Sequence, residues 1–195
     1  MRVGGVWCRR QMATRATGSS FHPVCDAFHA IIRQQSTLLH QLSDDEYTYR
    51  CPTLQGTTGG HVRHALDHLR RSIDLSADAA IHYDVRDRLT RIETNRVAAM
   101  DEMNAIRALA ARVADDKFLA RHVHAAFRLS AEGEEVTLRS TVEREMAFAV
   151  HHAIHHHALI KVILTTHFPH VPLPFSFGVA PSTVHYEAHL AKPSS

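Results

Sequence analysis

Cysteine is scarce: Cys8, Cys25 and Cys51 are the only 3 in the chain. An odd number with no C-x-x-C pair excludes a disulfide framework and a zinc ribbon, and an intracellular, reducing setting is expected. No uninterrupted apolar run approaches the roughly 18 residues that a membrane-spanning helix needs, which excludes an integral membrane protein. The spellings of several common sites are also missing. There is no G-x-G-x-x-G, no P-loop and no G-x-S-x-G, so nucleotide binding and serine hydrolysis lose their usual support. H-E-x-x-H is absent, which leaves a zincin protease unsupported. No glutamate has a histidine three residues on, so the E-x-x-H pairs of ferritin-like di-iron bundles cannot be built.

What remains is a chain of 195 residues, 45% apolar and 22% charged, long enough to bury the core of one domain without staples. Its formal charge of +2 is unevenly placed. Residues 1–20 hold Arg2, Arg9, Arg10 and Arg15 and no acid, which leaves 18 of the 22 basic side chains against all 20 acids in the body. The body is therefore slightly acidic, and nucleic acid is not an expected partner. The leader, 1–21, has the Arg-bearing, Ser- and Thr-rich, acid-free composition of a mitochondrial targeting segment or of a disordered extension. A cytoplasmic or mitochondrial location is expected. The C-terminal segment, 168–195, contains Pro169, Pro172, Pro174 and Pro181, which deny it a long helix. It is expected to wrap over the domain, with a short helix beginning near Pro181 and Ser182.

The body, 22–167, carries a helical period. Phe28, Ile31, Ile32, Leu38, Leu39 and Leu42 recur three and four apart over Pro23 to Leu42. Tyr47 to Gly60, with Pro52 and three glycines, reads as a loop. A second helix is expected from about His61 to Leu75. A third runs from about Thr94, as N-cap, to Val113, through Val97, Met100, Met103, Ile106 and Leu109. In Val123–Ala125–Phe127–Leu129 and Val136–Leu138 the period changes to two, around a turn-like Ala131-Glu132-Gly133-Glu134. The fourth helix runs from about Thr141 to Thr166, opened by Ser140 or Thr141 with Glu143 and Glu145 in its first turns. The expected fold is all-α, an antiparallel four-helix bundle with a β-hairpin inserted between helices three and four.

Histidine is abundant, at 18 residues, and its placement is informative. Helix two carries His61, His64 and His68 along one stripe. Helix four carries HHAIHHH, in which His152 and His156 stand one turn apart on one face. Such a pair can hold two imidazole nitrogens about 2.0–2.2 Å from one cation, and a third imidazole from a facing helix would leave positions open. His151 and His155 form a competing pair, but Phe148, His152, His155, Leu159 and Ile163 share the apolar face, with His156 at its edge. His151 and His157 are expected toward solvent or the outer seams. Several unpartnered buried imidazoles are costly, whereas a shared divalent cation accommodates them together. Glu145, two turns before His152 on nearly the same face, is a candidate to orient a ligand or move a proton; a simple charge at the helix start is the alternative.

TTGGHVRHALDHLRRSI, the hairpin, and TVEREMAFAVHHAIHHHALIKVIL resemble, in that order, the DinB/YfiT-like family of metal-dependent four-helix-bundle enzymes, over about residues 22–185. The resemblance implies a three-histidine divalent-metal site. The helix-two ligand, followed by x-x-Asp, matches His64 with Asp67, and the helix-four pair matches His152 and His156. Where the family usually continues with Arg-Gly-Gln, this chain reads His157-Ala158-Leu159. With His61, His68, His151 and His155 so near, a one-step slip to His61 or to the His151/His155 pair stays open. Asp67 joins Glu145 as a candidate catalytic group. The family further implies a low-molecular-weight thiol, whose thiolate a zinc, nickel or iron ion would present to a small electrophile, and pairing as a homodimer. The leading reading is thus a metal-dependent thiol S-transferase acting on a small molecule. A non-catalytic metal-binding or dimerising helical module, or a hydrolase using metal-activated water, are the competing readings. Cys25 and Cys51 read as spectators with no activating partner.

Overall fold

The computed structural model describes residues 22–75, 80–85, 89–113 and 115–190; the expected leader and Cys8 lie outside them. The described chain is mostly helical, with a small sheet. Four long helices, α1 (Pro23–Gln41), α3 (Thr58–Ile73), α4 (Arg96–Arg112) and α6 (Val142–His167), pack pairwise, α3 against α6 most extensively. Short helices α2 (Asp44–Thr48) and α5 (Asp116–Leu119) occupy connections, and α7 (Pro181–Leu190) ends the described chain. No described helix is long and apolar enough to cross a membrane.

Each long helix starts where a side chain satisfies an otherwise unpaired N–H. His22 caps α1 ahead of Pro23, whose missing N–H costs nothing at the first helical position. Thr57 Oγ1 accepts from Gly60 N at 2.8 Å, and Thr141 Oγ1 from Arg144 N at 3.3 Å. The cap of α4 is Asn95, not Thr94: Asn95 Oδ1 accepts from Ala98 N at 2.9 Å, while Thr94 closes the preceding 3-10 turn, Arg91–Glu93. The core face of α1 presents Phe28, Ile32 and Leu39, all without solvent exposure. Each such side chain contributes roughly 1.5–3 kcal/mol of burial. Val97, by contrast, is exposed.

Two departures from the sequence reading have local causes. The stretch expected as one loop, Tyr47 to Gly60, opens on the end of α2, which is held by a capping box between Ser43 and Glu46, and α3 begins three residues early, at Thr58. Gly59 there is not a loop former. A Cβ on it would lie 2.1 Å from Glu93 O, so the glycine lets α3 touch the backbone of the 3-10 turn. Tyr47, fully buried, locks the same turn through its OH donating to Ile92 O at 2.6 Å.

The sheet has three strands where alternation predicted two. β2 (His122–Arg128) and β3 (Glu135–Thr141) pair antiparallel, and β1 (Ala80–His82) adds to β2 in parallel, Ile81 opposite Ala125. Three residues are too few to show a period of two.

The histidines of α6 divide by burial in a way the apolar stripe did not foretell. His155 is exposed, and His157 is fully buried rather than on an outer seam. The reason is the chain beyond α6: Phe177, 1% exposed, stacks flat on the His157 ring at 4.7 Å. The ring's Nδ1 donates to Gln34 Oε1 at 3.0 Å, and Nε2 lies 3.1 Å from the Gln35 carboxamide oxygen. A neutral imidazole offers one N–H and one lone pair. Turning the Gln35 carboxamide end for end would satisfy that lone pair and employ Gln35 Nε2, a buried atom without a partner among the described residues.

Burial pushes the His157 pKa down from 6.5 to about 3. Below the unfolded value the denatured chain takes up this proton first, so stability present above pH 6.5 is lost as pH falls toward 3. In chelator-treated protein, His157→Gln is expected to flatten the pH dependence of urea-unfolding stability in that window by up to about 1.4 kcal/mol per pH unit. Identical slopes in the two proteins would place a charged imidazole in the folded core.

Candidate metal centre

α3 and α6 cross so that the stripes carrying their histidines meet. His64, His152 and His156 bring ligand nitrogens within 4.8 Å of one another. His152 is the middle of the three, its Nε2 2.9 Å from His64 Nε2 and 3.2 Å from His156 Nε2. Two imidazole nitrogens that share one cation at about 2.0–2.1 Å stand roughly 3–3.4 Å apart, so the spacing suits a single ion. Burial, then the neighbouring imidazoles of His64, His152 and His61, drives the His156 pKa down to about 2. It thus keeps the unprotonated nitrogen that a ligand needs. The chemistry of the donor set, three neutral imidazoles, fits zinc, nickel or iron.

The centre opens to one side. His61, His64 and His156 line a cavity of about 330 Å³ together with Gly56, Thr57, Gly60 and Arg63. A larger apolar hollow of about 530 Å³ lies between α1, α6 and α7, but His64, His152 and His156 are not on its wall. Of the two, only the smaller cavity has imidazoles of the three-histidine group on its wall.

Asp67 and Glu145 stand outside the three-imidazole group. Asp67 Oδ2 accepts from Arg63 at 2.8 Å, and the same guanidinium reaches Glu93 at 3.1 Å, so Arg63 at the cavity wall is bound by two carboxylates. Glu145 is fully buried and accepts from Tyr83 OH at 2.9 Å, Ser140 Oγ at 2.6 Å and Arg144 at 2.7 Å. Through Tyr83 it reaches the centre indirectly. Tyr83 stacks on His68 at 4.9 Å, and His68 stacks on His152 at 3.9 Å. His68 donates Nδ1–H to His64 O at 3.2 Å, which sets its ring plane.

The sheet therefore braces one face of His152 through two stacked rings, a connection that sequence reasoning missed. Tyr83 follows a strand too short to detect, and its burial among aromatic rings has no signature in spacing. Burial and the Glu145 charge raise the Tyr83 hydroxyl pKa, so the phenol keeps its proton as a donor. Tyr83→Phe leaves a buried carboxylate short of one hydrogen bond, and is expected to cost about 1–3 kcal/mol of stability in urea unfolding. A change below about 0.5 kcal/mol would mean that Ser140 and Arg144 satisfy Glu145 by themselves.

His61, the nearest competitor for the helix-two role, is turned elsewhere: its Nδ1 lies 3.1 Å from His156 Nδ1, on the ring edge opposite the converging nitrogens. Burial, then His155, lowers its pKa, which favours the neutral ring. Away from the centre, Cys51 does have a partner. Its Sγ is 3.7 Å from His167 Nε2, and Tyr49 OH is 3.2 Å from His167 Nδ1. Cys51 is nevertheless 1% exposed, so the thiol is sealed from reactants.

The sequence matches no protein-family model and no curated protein. Among solved structures, the fold is similar to that of a DinB-like protein, YjoA, from Bacillus subtilis. The two superpose with a TM-score of 0.56 at 18% identity, over 80% of this chain and 98% of that one. The likeness is one of fold.

Proposed function

We propose that the chain is a DinB/YfiT-like four-helix-bundle protein, with the β2–β3 hairpin inserted before its last long helix, and a divalent-metal-dependent enzyme. In this reading His64, His152 and His156 hold zinc, nickel or iron, and the activity is transfer of a low-molecular-weight thiol to a small electrophile. The observation that carries it is the incomplete shell: three imidazoles converge beside an open cavity, and no fourth histidine, cysteine or carboxylate joins their group among the described residues. A cation that only stapled helices together would be closed off by four protein ligands, whereas a reactive one keeps positions for exchange.

A cation there supplies Lewis acidity, which makes a thiol or a water a nucleophile near neutral pH. The protein's own part is to orient and to limit. The stacked rings of His68 and Tyr83 fix the plane of His152, Arg63 on the cavity wall is held by Asp67 and Glu93, and a cavity of about 330 Å³ suits a small molecule. In the transfer, a sulfur–carbon bond forms, the leaving group departs with its bonding electrons, and the thiol proton passes to water. The partners assigned are a small-molecule substrate and a second copy of the chain, with neither nucleic acid nor membrane.

The test loads the protein with zinc, nickel or iron(II) and follows thiol consumption with a chromogenic aryl halide or an epoxide. Turnover that requires both metal and thiol, and disappears in His152→Ala, supports the transferase. Turnover of an ester or amide without thiol would instead make it a hydrolase. Stoichiometric metal without either activity would return it to the metal-binding module.

A further inference from the structure

We infer that His61 is a positioning residue of the centre: it accepts the Nδ1–H of His156 and so fixes the tautomer that turns His156 Nε2 to the cation. The inference rests on the three-histidine reading above. Its ground is the 3.1 Å contact between the two Nδ1 atoms, with ring centroids 5.3 Å apart and planes tilted by 39°. A hydrogen bond at this distance needs one proton between the two nitrogens, and only one arrangement is compatible with ligation. An imidazole that binds through Nε2 carries its proton on Nδ1. If His61 donated instead, the His156 proton would sit on Nε2 and close that atom to a metal.

The loop before α3 holds His61 in this role. A Cβ on Gly56 would stand 3.0 Å from His61 Nε2, so the backbone of Gly56 closes over the far edge of the ring. That loop is itself tied, Cys51 N donating to Gly56 O and Gln55 N to Cys51 O, each at 2.9 Å. The His61 Nε2 beneath it is buried and without a hydrogen-bond partner among the described residues. Leaving an N–H unpaired is unfavourable, and the ring is kept there by what its other nitrogen does. Ligating histidines more often donate to a carboxylate, which raises ligand basicity. A neutral imidazole as acceptor adds no negative charge, and leaves the cation more electrophilic.

The test measures zinc affinity by competition with a chromophoric chelator, on wild type, His61→Phe, His61→Asn and His64→Ala. It also records imidazole 15N NMR of the zinc-loaded protein. His61→Phe keeps a ring and removes the acceptor, so affinity is expected to fall about 10–100-fold at unchanged stoichiometry. His61→Asn, whose side-chain oxygen can replace Nδ1 as acceptor, is expected to recover most of that loss. In wild type, His156 should show a protonated Nδ1 whose proton exchanges slowly; in His61→Phe that proton should exchange rapidly with water.

Equal affinity in wild type and His61→Phe overturns the inference while leaving the metal centre in place. Loss of all zinc in His61→Phe with a full equivalent in His64→Ala also overturns it, since His61 would then be a ligand. Absence of zinc from wild type removes the centre and this inference with it. Should His61→Phe fail to fold, the wild-type spectrum decides, because an unprotonated His156 Nδ1 in the zinc-loaded protein overturns the assignment.

Discussion

His152→Ala is expected to take bound zinc from about one equivalent per chain to nearly none, with affinity reduced more than about 100-fold. The position is the most sensitive of the three because His152 Nε2 lies within 2.9 Å of one partner nitrogen and 3.2 Å of the other. Without it, His64 on α3 and His156 on α6 are left as two ligands on different helices, too few to displace the water around a cation. The neighbouring His151 and His155 are both exposed, so their alanine variants should keep the full equivalent. Elemental analysis of desalted, untagged protein reads all three variants against wild type. Full occupancy in His152→Ala would show that the ligands are misassigned, and loss in His155→Ala would move the site to the competing pair.

A large loss of stability is expected at a residue with no side chain. Gly178 has φ +64°, a left-handed conformation, and a Cβ there would meet Ala158 N at 2.6 Å and both Ala158 Cα and His157 C at 2.7 Å. These are backbone atoms of α6, which cannot swing aside. Gly178→Ala thus combines the left-handed cost of about 1–2 kcal/mol with overpacking of about 1–3 kcal/mol, roughly 2–5 kcal/mol in total. Urea unfolding measures it. Gly133→Ala is the control: its Cβ would press on Ser130 Oγ, the end of a side chain that can rotate, and a change within about 0.5 kcal/mol is expected. Because Gly178 follows Phe177, which stacks on His157, displacement of this segment should also expose the His157 ring and lessen the pH dependence described above. An unaltered stability in Gly178→Ala would mean that the segment after α6 does not pack on the helix.

What could be read from the chain alone was periodic and local. Apolar residues three and four apart mark the core face of α1, since a helix exposes one stripe to the interior whatever it packs against. The i, i+4 spacing of His152 and His156 sets two imidazoles one turn apart in any helix. Capping chemistry located the start of α6 at Ser140 or Thr141, and it missed at Thr94 because Asn95, one residue on, is an equally good cap and the 3-10 turn consumed the threonine.

Only the tertiary structure could decide which histidines meet. His61, His64 and His68 share a stripe, and the crossing of α3 on α6 sends His64 to the cluster, His61 to the far edge of His156, and His68 into a stack between His152 and Tyr83. The roles of Glu145 and His157 are long-range for the same reason. Glu145 reaches the centre through a tyrosine 62 residues away, and His157 is buried by a phenylalanine from beyond α6. Helical geometry constrains neighbours within a few residues, whereas burial and ring stacking depend on segments brought together by folding, and no spacing along the chain encodes that approach.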